Sequence, residues 1–199
     1  MKVGIMGGTF DPIHLGHMII AEKARIEMDL QEVWFMPSSI PPHKRNTPVA
    51  TPIQRWQMVC EAVESNDYFF GKDLELKREG ISYTIDTVKA LKQSCPHHEF
   101  FFIIGGDMIQ YLPHWHQVDE LIGLISFIGL KRPGTEIQWD ELSAQIKQKI
   151  TLIPMPLIDI SSTEIRSLAA RNKSIRYLVQ DKVYDYIKEH KLYETRSSY

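Results

Sequence analysis

Two histidines, His14 and His17, stand one helical turn apart with Gly16 between them, shortly after Gly7-Gly8 in the segment GGTFDPIHLGH. Each imidazole can donate a directional hydrogen bond, and its charge can rise beside an anion near neutral pH. Residues 3–6 read as a short buried strand stopped by the glycines, and 17–28 as a helix packed along one face of a sheet, so the pair falls where strand passes into helix. A helix start presents unpaired amide donors with a partial positive charge, and glycines let a ligand approach the backbone closely. Phosphate is the natural guest. The segment matches neither G-x-x-x-x-G-K-[ST] nor G-x-G-x-x-G, which excludes a P-loop and the usual dinucleotide fingerprint. Ordinary polar residues of a tight turn are the bland alternative, favoured for a lone histidine and disfavoured for a pair beside Gly7, Gly8 and Gly16. A zinc site is a further one, with no cysteine and no H-E-x-x-H to support it.

A second constellation is ISSTEIR, residues 160–166, where Ser161, Ser162 and Thr163 open a helix and Arg166 lies one turn inside. Amides, hydroxyls and a guanidinium in that order would surround a polyphosphate. Capping alone accounts for one serine and Glu164, and Arg166 reads equally as a surface charge.

These residues need a scaffold. The chain has 199 residues, 43% of them hydrophobic, enough for one core, and the expectation is a single domain over 1–199 with a helical C-terminal part from about 161 to 190. A formal charge of −2 gives no global attraction to polyanions, and with neither a basic stripe nor an RNP aromatic pattern a nucleic-acid partner is not expected. Cys60 and Cys95 lack the spacing of a zinc or redox motif and read as reduced thiols. No apolar run approaches the roughly 20 residues that span a bilayer, so a cytoplasmic protein with no membrane partner is expected.

Strands are expected at 3–6, 32–37, 99–107, 124–130 and 150–153, with weak alternation over 72–77. Between them the pattern predicts helices at 17–28, from Thr51-Pro52-Ile53-Gln54 to about residue 63, from near Tyr83, at 139–148, at 161–170 and at 179–190. The stretch SSIPPHKRNTPVATP reads as a loop, and TRSSY as a frayed end. Strands and helices alternating at this density predict a doubly wound, mostly parallel α/β sheet, Rossmann-like, with helices on both faces and ligands beyond the carboxyl ends of the strands.

GTFDPIHLGH together with SSTEIR resembles the nucleotidyltransferase superfamily marked by an H-x-G-H element. With PSSIPPHK, REGISYTIDT and GGD in the same order, the stretch from Met1 to Arg166 is similar to the bacterial nicotinate mononucleotide adenylyltransferases. Gly106 departs from the alanine or serine more common in that family, a change among small residues. The resemblance implies transfer of AMP from ATP to nicotinate mononucleotide, with Mg2+ accompanying ATP. It implies that His14 and His17 act at the α-phosphate, and that Lys44 and Arg166 hold flanking phosphates. Gly8, Thr9, Phe10, Gly105, Asp107, Ser162 and Thr163 complete the ATP site. Gly7, Ser38, Lys44, Tyr83, Thr84 and Trp115 would hold the mononucleotide, Trp115 by stacking and the start of the SYT helix by receiving the carboxylate.

No protein ligand of Mg2+ is assigned, because the ion often keeps several waters beside ATP phosphates. Trp34 and Trp56 are expected in the core, and His97, His98 and His116 in turns or on the surface. The charged loop from Lys131 to Gly134 reads as a solvated turn. A related adenylyl- or cytidylyltransferase acting on another phosphate, such as phosphopantetheine, is the nearest alternative, and a nucleotide-binding module without turnover is another. Whether the chain is a monomer or a homodimer is open.

Overall fold

The computed structural model describes residues 1–39, 48–78, 81–131, 134 and 136–194. Lys44, Arg132 and the segment TRSSY, on which expectations were placed, lie outside the described residues. Among the described residues six strands pair into one sheet: β1 (Lys2–Gly8), β2 (Glu32–Pro37), β3 (Phe69–Gly71), β4 (Glu99–Gly105), β5 (Ser126–Lys131) and β6 (Ile150–Pro154). Their order is β3-β2-β1-β4-β5-β6 and every pairing is parallel. The Rossmann-like expectation therefore holds.

Parallel strands covered on both faces divide their apolar side chains by alternation, and the sheet separates two cores. On one face Met6, Val33, Phe35, Phe101, Ile103 and Ile128 pack with residues of α1 (Leu15–Glu27), α2 (Pro52–Val63), α7 (Ser162–Ala170) and α8 (Asp181–Glu189). On the other, Val3, Ile5, Trp34, Phe100, Phe102 and Phe127 meet residues of α3 (Thr84–Ser94), α4 (Gly106–Tyr111), α5 (Val118–Leu124) and α6 (Ala144–Gln148). Successive connections leave β1 toward β2 and β3 and then return to β4, so the chain reverses direction between β1 and β4. That reversal opens a crevice at their carboxyl ends, where open α/β sheets bind ligands. Among the described residues no helix is long and apolar enough to cross a membrane.

Several elements differ from the sequence expectation. The third strand is Phe69–Gly71, whereas 72–77 is not a strand and 74–77 forms turns. α4 follows β4 without a break and takes Asp107 into its first turn, and α5 follows the proline-broken aromatic stretch. The helix expected over 139–148 divides into a single 3-10 turn at Trp139–Glu141 and α6, which Ser143 caps by accepting from the Ile146 amide at 3.3 Å. Trp34 is core, but Trp56 is only half-buried and lies against Gly71, where a Cβ would meet its ring at 3.0 Å.

The start of α2 follows the local code. Thr51 Oγ1 accepts from the Gln54 amide at 3.3 Å, Gln54 Oε1 accepts from the Thr51 amide at 2.9 Å, and Pro52 occupies the first turn, where its missing N–H leaves no bond unmade. Thr51→Ala is expected to lower the unfolding free energy by about 1 kcal/mol, read as a shift in urea midpoint at unchanged slope.

Candidate active site

The loop from Thr9 to His14 leaves β1 and delivers the chain to α1. Gly7 and Gly8 are required by neighbours: a Cβ on Gly7 would sit 2.9 Å from Phe102 Cζ, and one on Gly8 the same distance from Phe10 Cε1. Phe10 adopts φ 50°, in the left-handed region, and its ring is buried edge-on to His17, with centroids 5.0 Å apart, and tilted toward Phe35. The Asp11–Pro12 peptide bond is cis.

Two charged groups missed from the sequence hold this loop. The Asp11 carboxylate is buried and accepts from the Val49 amide at 2.9 Å, the Ala50 amide at 3.1 Å and the Tyr193 hydroxyl at 2.8 Å. Arg55 is fully buried on α2; its Nη1 donates to the Thr9 carbonyl at 2.7 Å and its Nη2 to the Ser39 carbonyl at 3.3 Å. Burial pulls the Arg55 pKa down, against the nearby Asp11 charge. Arg55, Met58, Val59, Ala62 and Val63 form the buried stripe of α2, and a cation at an apolar-stripe position was the available sequence signal. Tyr193 carried no comparable signal, since its partner is 182 positions away.

His14 is the residue before the first turn of α1, and His17 lies in that turn. The His14 amide donates to His17 Nδ1 at 3.2 Å, so His17 carries its exchangeable proton on Nε2 when neutral. The rings are tilted by 30° with centroids 3.7 Å apart. His14 Nδ1 is buried with no hydrogen-bond partner among the described residues, and burial pushes the His14 pKa down from 6.5 to about 4. A Cβ on Gly16 would stand 3.0 Å from His14 Nδ1 and 3.1 Å from its Cε1. The central glycine of H-L-G-H thus makes room for the first imidazole.

Every hydroxyl at the start of α7 has a structural partner. Ser161 Oγ accepts from the Glu164 amide at 3.1 Å, Ser162 Oγ donates to the Pro12 carbonyl at 2.9 Å, and Thr163 Oγ1 accepts from Arg166 Nη2 at 3.4 Å. Arg166 Nη1 also donates to the Asp11 carbonyl at 2.7 Å and lies 3.8 Å from the Asp11 carboxylate. The late helix is thereby fastened to the loop that bears the histidines, and the Arg166 side chain keeps 27% of its surface in solvent.

On the other side of the β1 carboxyl end lies a cleft of about 430 Å³. Gly7, Ser38, Tyr83, Thr84 and Trp115 line it, together with Thr9. Of the residues expected at the mononucleotide, Lys44 alone cannot be placed. Trp115 stands edge-on to Phe102 at 5.7 Å, and its Nε1, like Ser38 Oγ, is buried with no partner among the described residues. Tyr83 precedes the first turn of α3 and supplies no side-chain cap, so the first amides of that helix start are left without one. His116, expected on the surface, is exposed but lines the cleft and packs on Tyr83 with centroids 4.4 Å apart. Glu75 and Ser82, unremarked in the sequence, line it as well.

Gly105 and Asp107 mark the carboxyl end of β4 beside β1: a Cβ on Gly105 would meet nothing within 4 Å, and Asp107 is exposed in the first turn of α4. Among the described residues no three His, Cys, Asp or Glu side chains come together to hold a metal ion. A hard cation held here would draw on phosphate and water oxygens.

Residues 5–168 match the cytidylyltransferase-like family. The chain is 45% identical over 192 residues to a probable nicotinate-nucleotide adenylyltransferase of Oceanobacillus iheyensis, covering 96% of each chain. It is 44% identical to the nicotinate-nucleotide adenylyltransferase of Bacillus subtilis, covering 98% of this chain and 99% of that one. In fold it is similar to Plasmodium falciparum nicotinic acid mononucleotide adenylyltransferase complexed with NaAD, with a TM-score of 0.77 at 24% identity over 96% and 97% of the two chains.

The depressed pKa of His14 has a sign that can be checked. Between pH 6.5 and about 4 the unfolded chain binds a proton there that the folded chain does not, so stability contributed by the neutral imidazole is complete above 6.5 and is lost as pH falls through that window. An NMR titration of the ligand-free protein is expected to place the His14 midpoint near 4. A midpoint near 6.5 would contradict the burial described.

Proposed function

The chain belongs to the cytidylyltransferase-like family, and we propose that it transfers the adenylyl group of ATP to nicotinate mononucleotide, giving the deamido dinucleotide and pyrophosphate in NAD biosynthesis. The observation that carries this reading is the pairing of two sites across one strand end. The His14–His17 pair and Arg166 lie on one side of the β1 carboxyl end, and an aromatic cleft with an uncapped helix start lies on the other. The extended likeness to nicotinate-nucleotide adenylyltransferases supports the same reading. We take the chain as one domain, working in the cytoplasm.

In this mechanism the phosphate of the mononucleotide attacks the α-phosphorus of ATP in line. A P–O bond forms there as the bond to the bridging oxygen breaks, and pyrophosphate leaves with that electron pair. A phosphate monoester is largely dianionic at pH 7, so no residue has to remove a proton and no covalent intermediate is needed. The protein's task is to hold two anions together and to stabilise charge on the transferred group. His17 donates through Nε2, which carries its proton when Nδ1 accepts from the His14 amide. His14, neutral in the ligand-free site, gains basicity when a triphosphate lies beside it.

Arg166 and Lys44 hold flanking phosphates, Gly8, Thr9 and Phe10 line the path of the triphosphate, and Ser162 and Thr163 set the start of α7 against it. Gly105 and Asp107 flank the adenosine. Mg2+ bound to the phosphates would neutralise charge on the leaving pyrophosphate. In the cleft, Trp115 stacks on the pyridine ring and the helix start at Tyr83 and Thr84 receives its carboxylate, while Gly7 and Ser38 line the approach. A helix start favours a carboxylate over a neutral amide, which gives the acid preference its physical basis.

Purified protein with ATP, Mg2+ and nicotinate mononucleotide is expected to release pyrophosphate at least tenfold faster than with the amide analogue; no pyrophosphate would overturn the reading. His17→Ala should lower turnover by about 10²- to 10³-fold with the fold intact, by analogy with other donors to a developing charge. Gly16→Ala separates two effects. Turnover is expected to fall because the new methyl group presses on His14, while the loss in melting temperature is limited because alanine favours a helix by about 1 kcal/mol over glycine.

A further inference from the structure

One buried acid in the cleft wall takes no part in the steps above. Glu75, in the turn after β3, is 7% exposed and lines the cleft. Its Oε1 accepts from the Thr87 hydroxyl at 2.7 Å, and the Ser82 hydroxyl bonds to the same carboxylate. A hydroxyl has one proton, so with both protons directed at Glu75 the two oxygens can only accept from their other neighbours. Thr87 Oγ1 accepts from Arg78 Nη2 at 2.5 Å, and Ser82 Oγ accepts from the Ser39 amide at 3.1 Å. Ser39 follows Ser38 at the exit of β2, and its carbonyl is the one held by Arg55. Ser82 and Thr87 flank Tyr83 and Thr84 at the start of α3. A single carboxylate therefore joins the two walls between which the mononucleotide would lie. Its oxygens are engaged by hydroxyls, so its charge is turned to the scaffold.

We propose that Glu75 is a positioning residue for the mononucleotide: acting through Ser82, it fixes the start of α3 against the β2 exit and so sets the fit of the pyridine carboxylate. The proposal rests on the adenylyl-transfer reading given above. Without the carboxylate both hydroxyls can turn, Ser82 loses the orientation in which it accepts from Ser39, and the helix start is free to drift from the cleft. The triphosphate side is fastened by other groups, Asp11, Arg55 and Arg166, and should not register the change.

Steady-state kinetics of Glu75→Gln, Ser82→Ala and the double variant test this. In Glu75→Gln the amide keeps an oxygen for Thr87 but presents a donor to Ser82. KM for nicotinate mononucleotide is expected to rise about 10-fold in each single variant, with kcat and KM for ATP within about twofold of the parent. Because Glu75 acts through Ser82, the double variant should be no worse than the poorer single one. Ser82→Thr, which keeps the hydroxyl, should restore most of the affinity, and it provides the test should Glu75→Gln fail to fold. An unchanged KM for the mononucleotide, a parallel rise for both substrates, or additive losses would each overturn the proposal. Absence of pyrophosphate release by the parent protein would instead remove the adenylyl-transfer reading itself.

Discussion

A carboxylate buried in a loop is tolerated only if its oxygens are met by donors, and the loop then keeps the shape those donors impose. Asp11 is in that position. Its partners come from the end of the β2–α2 connection at Val49 and Ala50 and from Tyr193, while Arg166 of α7 stands beside it and grips its carbonyl. Arg55 does the complementary work one residue before Phe10, gripping the Thr9 carbonyl from inside the core. Removing the Asp11 carboxylate would leave the Tyr193 hydroxyl and two amides without an acceptor, at about 1–3 kcal/mol for each buried group left unpaired. The conformation that presents His14 and His17 is thus fixed from outside its own sequence.

Most of the scaffold could be read from the chain because its instructions are local. Thr51, Pro52 and Gln54 start α2 as written, Ser161 caps α7, and the apolar runs of β1, β2 and β4 match sheet positions within a residue or two. The elements that escaped are those whose stability is tertiary. β3 has three residues and exists because β2 offers it a free edge, and α4 and α5 are six and seven residues long, too short to hold as isolated helices. The division of 139–148 was written locally, as Ser143, but a capping serine inside a helical pattern also reads as an ordinary helix residue.

The site divides along the same line. H-L-G-H and S-S-T-E-I-R carry their chemistry in adjacent residues, and the fold brings the two segments together through the bonds of Ser162 to Pro12 and Arg166 to Asp11. Tyr83, Thr84 and Trp115 do converge on one cleft with Gly7 and Ser38. His116 and Glu75 were passed over for different reasons: the first sits in a proline-broken aromatic stretch with no periodicity, and the second in the weak alternation over 72–77. Glu75 becomes distinctive only through burial, which a sequence does not print for a carboxylate between Leu74 and Leu76.

The bond from Tyr193 to Asp11 joins residues 182 apart, and it sets an order of events during biosynthesis. The β1 loop leaves the ribosome with both imidazoles, yet one of the donors to its buried carboxylate is made 182 residues later. Until then a nascent chain can pair its strands while this loop remains short of a partner. The carboxyl end of the sheet therefore gains its full set of bonds only after all six strands have been made, by the arrival of a single phenol.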